Sequence, residues 1–192
     1  MIPGIEALKA ISRHQGDSVM ITTETPFTIW DSISDRREFH LPLINSMSKA
    51  SSIGLGLALG RPDLKVQVVD SDGSLLMNLG SLVTIANMAP TNFVHFVYQN
   101  NVYGLSGAQP LPGAEKFSFA GLAKAAGYPN VFEFDELEEF SLALPDILER
   151  PGPILVCLKV EDEGPKPRLP ARMTKHAYPE VRDALARTAP PA

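Results

Sequence analysis

Asp72-Gly73-Ser74 follows the apolar run KVQVVD, and Asn100-Asn101 follows the apolar run NFVHFVYQ. An acid, a tight-turning glycine and a helix-opening serine thus end one predicted strand, and a pair of amides ends the next. Asp72 offers a hard anionic oxygen, and Gly73 lets backbone approach a ligand closely. The N–H groups at a helix start suit a phosphate. Asn100 adds a neutral amide oxygen. Carboxylate, amide oxygen, backbone carbonyl and phosphate oxygens together are the donor set of an octahedral magnesium ion. Taken singly, DG and NN are common turn formers. Two of them at successive strand tips, with a helix start between, also fit a magnesium–diphosphate site, and the residues alone leave both readings open.

The elements that would position these tips are legible from periodicity. Helices are expected at 5–11, near 28–34, and at 48–60, 74–88, 117–127 and 136–148. Strands are expected at 18–23, 41–45, 65–70, 92–99, 130–134 and 153–160. Ser48 is read as an N-cap and Gly60 as a stop. The spaced glycines of GLGLALG (54–60) are read as permitting close helix packing. Strands that are near-continuous apolar runs alternating with helices imply an α/β fold, a three-layer, doubly wound, mostly parallel sheet. In such sheets ligands bind beyond the carboxyl ends of the strands, where both motifs lie. The domain is expected to span 1–160. Residues 161–192, with Pro165, Pro167, Pro170, Pro179, Pro190 and Pro191, are expected as a Pro-rich extension that wraps the surface or frays.

The chain has 192 residues, 44% hydrophobic and 20% charged, enough for one domain with a sizeable core. Its net charge of -5 argues against nucleic acid or an anionic membrane as partner. No stretch is apolar and long enough to span a bilayer, and the N-terminus lacks a secretory layout, so the default setting is cytoplasmic. The single cysteine, Cys157, lies in PILVCLKV and reads as core. His95, mid-strand, reads as a satisfied core histidine. His14, His40 and His176 have no supporting context, and Trp30 and Arg36-Arg37 read as parts of an irregular loop. No G-x-G-x-x-G at a first strand–helix turn and no phosphate-loop lysine motif is present.

Asp72-Gly73-Ser74 with Asn100, 28 positions on, resembles the cofactor motif of the thiamine-diphosphate-dependent enzymes, which begins Gly-Asp-Gly and ends at an asparagine. DGSLLMNLGSLVTIA, NSMSKASSIGLGLAL and NNVYGLSGAQP resemble segments of the sulfopyruvate and phosphonopyruvate decarboxylases within that group. The resemblance covers roughly residues 3 to 160. It is to the diphosphate-binding (C-terminal) domain, and the length is similar to that of a separate beta subunit.

The resemblance implies thiamine diphosphate and Mg2+ as cofactors. It implies Asp72, Asn100 and the Val102 carbonyl as metal ligands. Ser71, Gly73, Ser74 and Tyr103 would surround the diphosphate. Met47 would sit beneath the cofactor and force its V shape, with the Asn45 carbonyl near the aminopyrimidine amine and Ser46 beside it. Gln109 is a candidate to face the substrate, against a solvated-loop reading. It implies a small 2-oxo acid substrate and an oligomer, hetero or homo, in which a pyrimidine-binding partner subunit carries the catalytic glutamate. No catalytic residue is then expected in this chain. The early loop, the helix at 48–60 and the segment after Asn100 would face the partner.

The family pattern has glycine where this chain has Asn45, Ser48, Ser71, Asn101 and Ala108, positions that serve positive φ or close backbone approach. The intact metal ligands favour an active decarboxylase subunit. The lost glycines favour a degenerate, non-catalytic assembly or regulatory subunit, and an acetolactate synthase-like carboligase is a further alternative.

Overall fold

The computed structural model describes residues 1–162 and 174–188. Six strands form one sheet: β1 (Val19–Thr23), β2 (His40–Leu43), β3 (Val66–Ser71), β4 (Phe93–Gln99), β7 (Asn130–Phe134) and β8 (Ile154–Lys159). Their order is β2-β1-β3-β4-β8-β7, and every neighbouring pair is parallel. A small antiparallel pair, β5 (Val102–Tyr103) with β6 (Gln109–Pro110), lies apart from it.

A parallel sheet has to be covered on both faces, because each strand is apolar on both. One core gathers Leu8, Ile11, Trp30, Phe140 and Leu144 from α1 (Gly4–Arg13), α2 (Glu24–Ile33) and α7 (Leu137–Leu148). The opposite core gathers Leu55, Ala58, Leu82, Ile85, Phe119 and Ala123 from α3 (Ala50–Gly60), α5 (Gly80–Met88) and α6 (Phe119–Ala126). The expected three-layer arrangement is therefore present. Cys157 is fully buried, as expected, and burial pushes its thiol up to about 12.

Several local readings differ from the sequence expectation. The helix expected at 74–88 is two: α4 (Asp72–Leu76) and α5, separated at 77–79. Trp30 is not in a loop; it is fully buried on α2. His40 is also fully buried, its Nε2 2.8 Å from Thr22 Oγ1 and its Nδ1 2.9 Å from Asp31 Oδ1, so it ties β1, β2 and α2 together. His95 is buried, but it is not satisfied: neither ring nitrogen has a hydrogen-bond partner, and Nε2 lies 3.7 Å from Asp70 Oδ2. Part of the expected extension is a helix, α8 (Thr174–Arg187). Thr174 Oγ1 donates to the Pro42 carbonyl at 2.7 Å and accepts from Ile44 N–H at 3.1 Å, so α8 covers the edge strand β2. Pro42 is tolerated there because an edge strand has one side unpaired. Pro165, Pro167, Pro170, Pro190 and Pro191 lie outside the described residues.

The glycines of α3 divide by face. A Cβ on Gly54 would come within 2.5 Å of Val68 Cγ2 and 2.9 Å of Phe93 Cε2, so here glycine does permit close packing on the sheet. A Cβ on Gly56 or Gly60 would meet nothing within 4 Å. Gly54→Ala is expected to lower the unfolding free energy by about 1–3 kcal/mol through overpacking. Gly56→Ala should leave it unchanged or raise it by about 0.5–1 kcal/mol through helix propensity. Urea unfolding of the two variants checks the assignment.

Candidate functional site

The chain runs from β1 outward to β2 on one side, then returns to β3 and proceeds to β4 on the other. The point where the order reverses lies between β1 and β3, and in doubly wound sheets the ligand crevice opens beyond the strand ends at that point. The tips of β1 and β3 are tied across it. Thr23 Oγ1 donates to Asp70 Oδ1 at 2.9 Å and accepts from Ser71 N–H at 3.3 Å.

Asp72 lies just past the β3 tip with no exposed surface. Its Oδ1 accepts from Gly73 N–H at 2.7 Å and its Oδ2 from Asn101 N–H at 2.6 Å. No cation of the described residues pairs with it, and burial pushes its pKa up to about 6 against the pull of these N–H groups. The Asn100 side-chain oxygen is 3.3 Å from Val102 N–H, so the Asn100–Val102 turn is folded back toward Asp72. A buried carboxylate with no counter-cation among the described residues, beside the Asn100 amide oxygen and the Asn100–Val102 turn, fits a divalent cation of the hard, oxygen-loving class.

One cleft at these tips is lined by Met47, Ser71, Asn100, Val102 and Tyr103 among the expected residues, with Glu24, Thr25, Tyr98, Gly104 and Ser106 added. Asp72, Gly73 and Ser74 are buried directly behind Ser71. Ser74 Oγ accepts from Ser48 N–H at 2.9 Å, and Asn78 Nδ2 donates to the Ser48 carbonyl at 3.1 Å. These bonds fix the turn carrying Met47 against the Asp72 turn. Tyr103 packs on Gly73 so closely that a Cβ there would lie 2.6 Å from Cε1 of the ring. Asn45 is exposed, and neither it nor Ser46 lines the cleft; Gln109 is exposed as well. Arg36 is paired with Asp17 and Glu38, and Arg37 donates to the Asp31 carbonyl, both away from the cleft.

Two N–H groups expected to face a diphosphate are engaged by this chain's own side chains. Gly73 N–H bonds Asp72, and Ser74 N–H bonds Ser71 Oγ at 3.3 Å. Glu24 is a cleft residue that the sequence reading missed, since a lone glutamate after a strand carries no motif.

Four of the five positions where glycine was expected adopt left-handed backbone: Asn45 (φ 55), Ser48 (φ 71), Asn101 (φ 62) and Ala108 (φ 55). Ser48 is therefore not the N-cap of α3; Lys49 occupies that position. Ser71 is the exception, with φ -76, and instead its hydroxyl caps α4. The turns have kept their shape while losing the residue that adopts it without strain. Ala108→Gly is expected to raise stability by about 0.5–1 kcal/mol, the relieved strain being partly offset by the entropy of an unfolded glycine. Ser71→Ala should lower it by about 0.5–1 kcal/mol through the lost cap. Thermal and urea unfolding of both variants provides the check.

Comparison with known proteins agrees with this fold. The profile described as "Thiamine pyrophosphate enzyme, C-terminal TPP binding domain" matches residues 29–158. The sulfopyruvate decarboxylase subunit beta of Methanocaldococcus jannaschii is 39% identical over 139 residues, covering 71% of this chain and 72% of that protein. The phosphonopyruvate decarboxylase of Streptomyces viridochromogenes is 40% identical over 126 residues, covering 66% of this chain. The match spans 31% of that enzyme's length. The 2-oxoglutarate:ferredoxin oxidoreductase of Magnetococcus marinus shares the fold, with a TM-score of 0.67 at 14% identity over 86% of this chain and 64% of its own. The chain belongs to the thiamine pyrophosphate enzymes, as a member of their C-terminal, cofactor-binding domain family.

Proposed function

We propose that this chain is the diphosphate- and Mg2+-holding subunit of a thiamine-diphosphate-dependent 2-oxo acid decarboxylase of the sulfopyruvate/phosphonopyruvate type. The observation that carries the reading is the buried, cation-free Asp72 carboxylate at the switch point, with Asn100 and Val102 folded against it. When bound, thiamine diphosphate supplies the nucleophilic carbon and the electron sink for loss of carbon dioxide. Asp72, the Asn100 amide oxygen and the Val102 carbonyl are the groups that would hold the metal. The Gly73 and Ser74 N–H groups, once released from Asp72 and Ser71, would take phosphate oxygens. Tyr103 closes over the Gly73 turn, and Met47 shapes the floor on which the rings would rest.

The catalytic glutamate is assigned to a pyrimidine-binding partner subunit, in keeping with the beta-subunit names of the relatives. Retention of left-handed backbone at Asn45, Ser48, Asn101 and Ala108 supports a working clamp over a degenerate one. No helix among the described residues is long and apolar enough to cross a membrane.

The Asp72 shift sets a pH dependence. A carboxyl whose folded pKa lies above its ordinary value stabilises the fold most below that ordinary value. This stabilisation is lost as pH rises through the folded pKa, about 6 here. Above pH 6 the metal-free chain therefore holds a costly buried anion, which a divalent cation would neutralise. Magnesium with thiamine diphosphate is expected to raise the melting temperature strongly at pH 7.5 and progressively less below pH 6. Asp72→Asn should abolish the rise at every pH. A calorimetric series from pH 5 to pH 8 tests this, and a wild-type chain showing no ligand-dependent rise at pH 7.5 would refute the reading.

A further inference from the structure

Glu24 follows directly on β1, at the same switch point as Asp72 and on the opposite side of the crevice. Three observations set it apart. Its φ is +53, left-handed backbone that a glutamate adopts only under strain. Its side chain is partly buried and lines the cleft with Met47, Ser71, Asn100 and Tyr103. Among the described residues it has no hydrogen bond and no ion pair, and the one charge set against it is Asp70, of the same sign. Burial, and then Asp70, raise its pKa accordingly. No lysine, arginine or histidine among the described residues lines this cleft. Among the described residues, this strained carboxylate in the ligand crevice thus has nothing to neutralise it. Such strain persists at sites where the surrounding structure imposes it for function.

We propose that Glu24 is a cofactor-binding residue whose carboxylate faces the cationic ring of the cofactor and disfavours ligands that bring phosphate charge alone. The proposal rests on the thiamine diphosphate reading. Asp72 and its metal would hold the diphosphate on the β3 side of the crevice, and Glu24 would meet the positively charged thiazolium on the β1 side. A carboxylate in a partly desolvated cleft attracts such a ring and repels a bare polyanion, so removing its charge moves the two affinities in opposite directions.

Titration calorimetry of the full-length chain at pH 8, with magnesium–thiamine diphosphate and with magnesium–pyrophosphate, tests this. Glu24→Gln is expected to weaken thiamine diphosphate binding by about three- to tenfold and to tighten pyrophosphate binding. Glu24→Gly, which also relieves the backbone, should change both affinities in the same directions, because charge and not shape is responsible. Both variants should melt at or above the wild-type temperature, since the repulsion from Asp70 is gone. Unchanged affinities, or both ligands binding more tightly, would overturn the proposal while leaving the cofactor assignment intact. A wild-type chain that binds neither ligand would overturn the assignment itself.

Discussion

A carboxylate with no exposed surface must be hydrogen-bonded, protonated or neutralised, and Asp72 illustrates all three demands. Backbone N–H groups from Gly73 and Asn101 hold its two oxygens, yet burial still raises its pKa to about 6. The N–H groups orient it without supplying a full positive charge. The rest of the crevice is arranged around this unmet requirement. Thr23 pins the β1 tip to the β3 strand, Ser74 and Asn78 pin the Met47 turn to α4 and the link after it, and Tyr103 packs closely against Gly73. Each bond brings another strand tip or turn to the point where a divalent cation would satisfy Asp72.

The surrounding backbone shows how a motif can drift and keep its geometry. Where the resemblance implies glycine, Asn45, Ser48, Asn101 and Ala108 turn left-handed. The tertiary fold therefore dictates these turns, and the residues comply at some cost. Asn45 and Asn101 are the least strained of the substitutes, because asparagine tolerates that region best. The Asn101 N–H also binds Asp72 Oδ2, so that turn cannot relax without releasing this carboxylate oxygen. Ser71, where the resemblance also implies glycine, caps α4 with its hydroxyl. A site under such constraint behaves as one whose shape is retained, which weighs against reading the substitutions as decay.

Much of the architecture was legible because parallel strands buried on both faces leave unbroken apolar runs such as FVHFVYQ and ILVCLK. The proposed metal-ligand set came from the resemblance, because Asp72-Gly73 and Asn100-Asn101 at successive strand tips serve equally well as turns. What escaped was set by tertiary contact. Trp30 falls where a short helix was expected, but its complete burial shows only once that helix packs on the sheet. α8 is polar on most of its surface and shows its purpose only once the edge of β2 is in view. His40 gains its context from Thr22 and Asp31, neither adjacent in sequence. Glu24 is invisible to motif reading because its significance lies in a backbone angle and in the absence of a counter-charge among the described residues.

The account turns on where the metal sits. The direct measurement is a crystal structure of the chain grown with thiamine diphosphate and Mn2+ in place of Mg2+, with the metal located by its anomalous signal. The account predicts one strong peak within about 2.0–2.3 Å of an Asp72 carboxylate oxygen, the Asn100 side-chain oxygen and the Val102 carbonyl, with diphosphate oxygens completing the octahedron. A metal and diphosphate bound elsewhere, with Asp72 still engaged only by the N–H groups of Gly73 and Asn101, would contradict it.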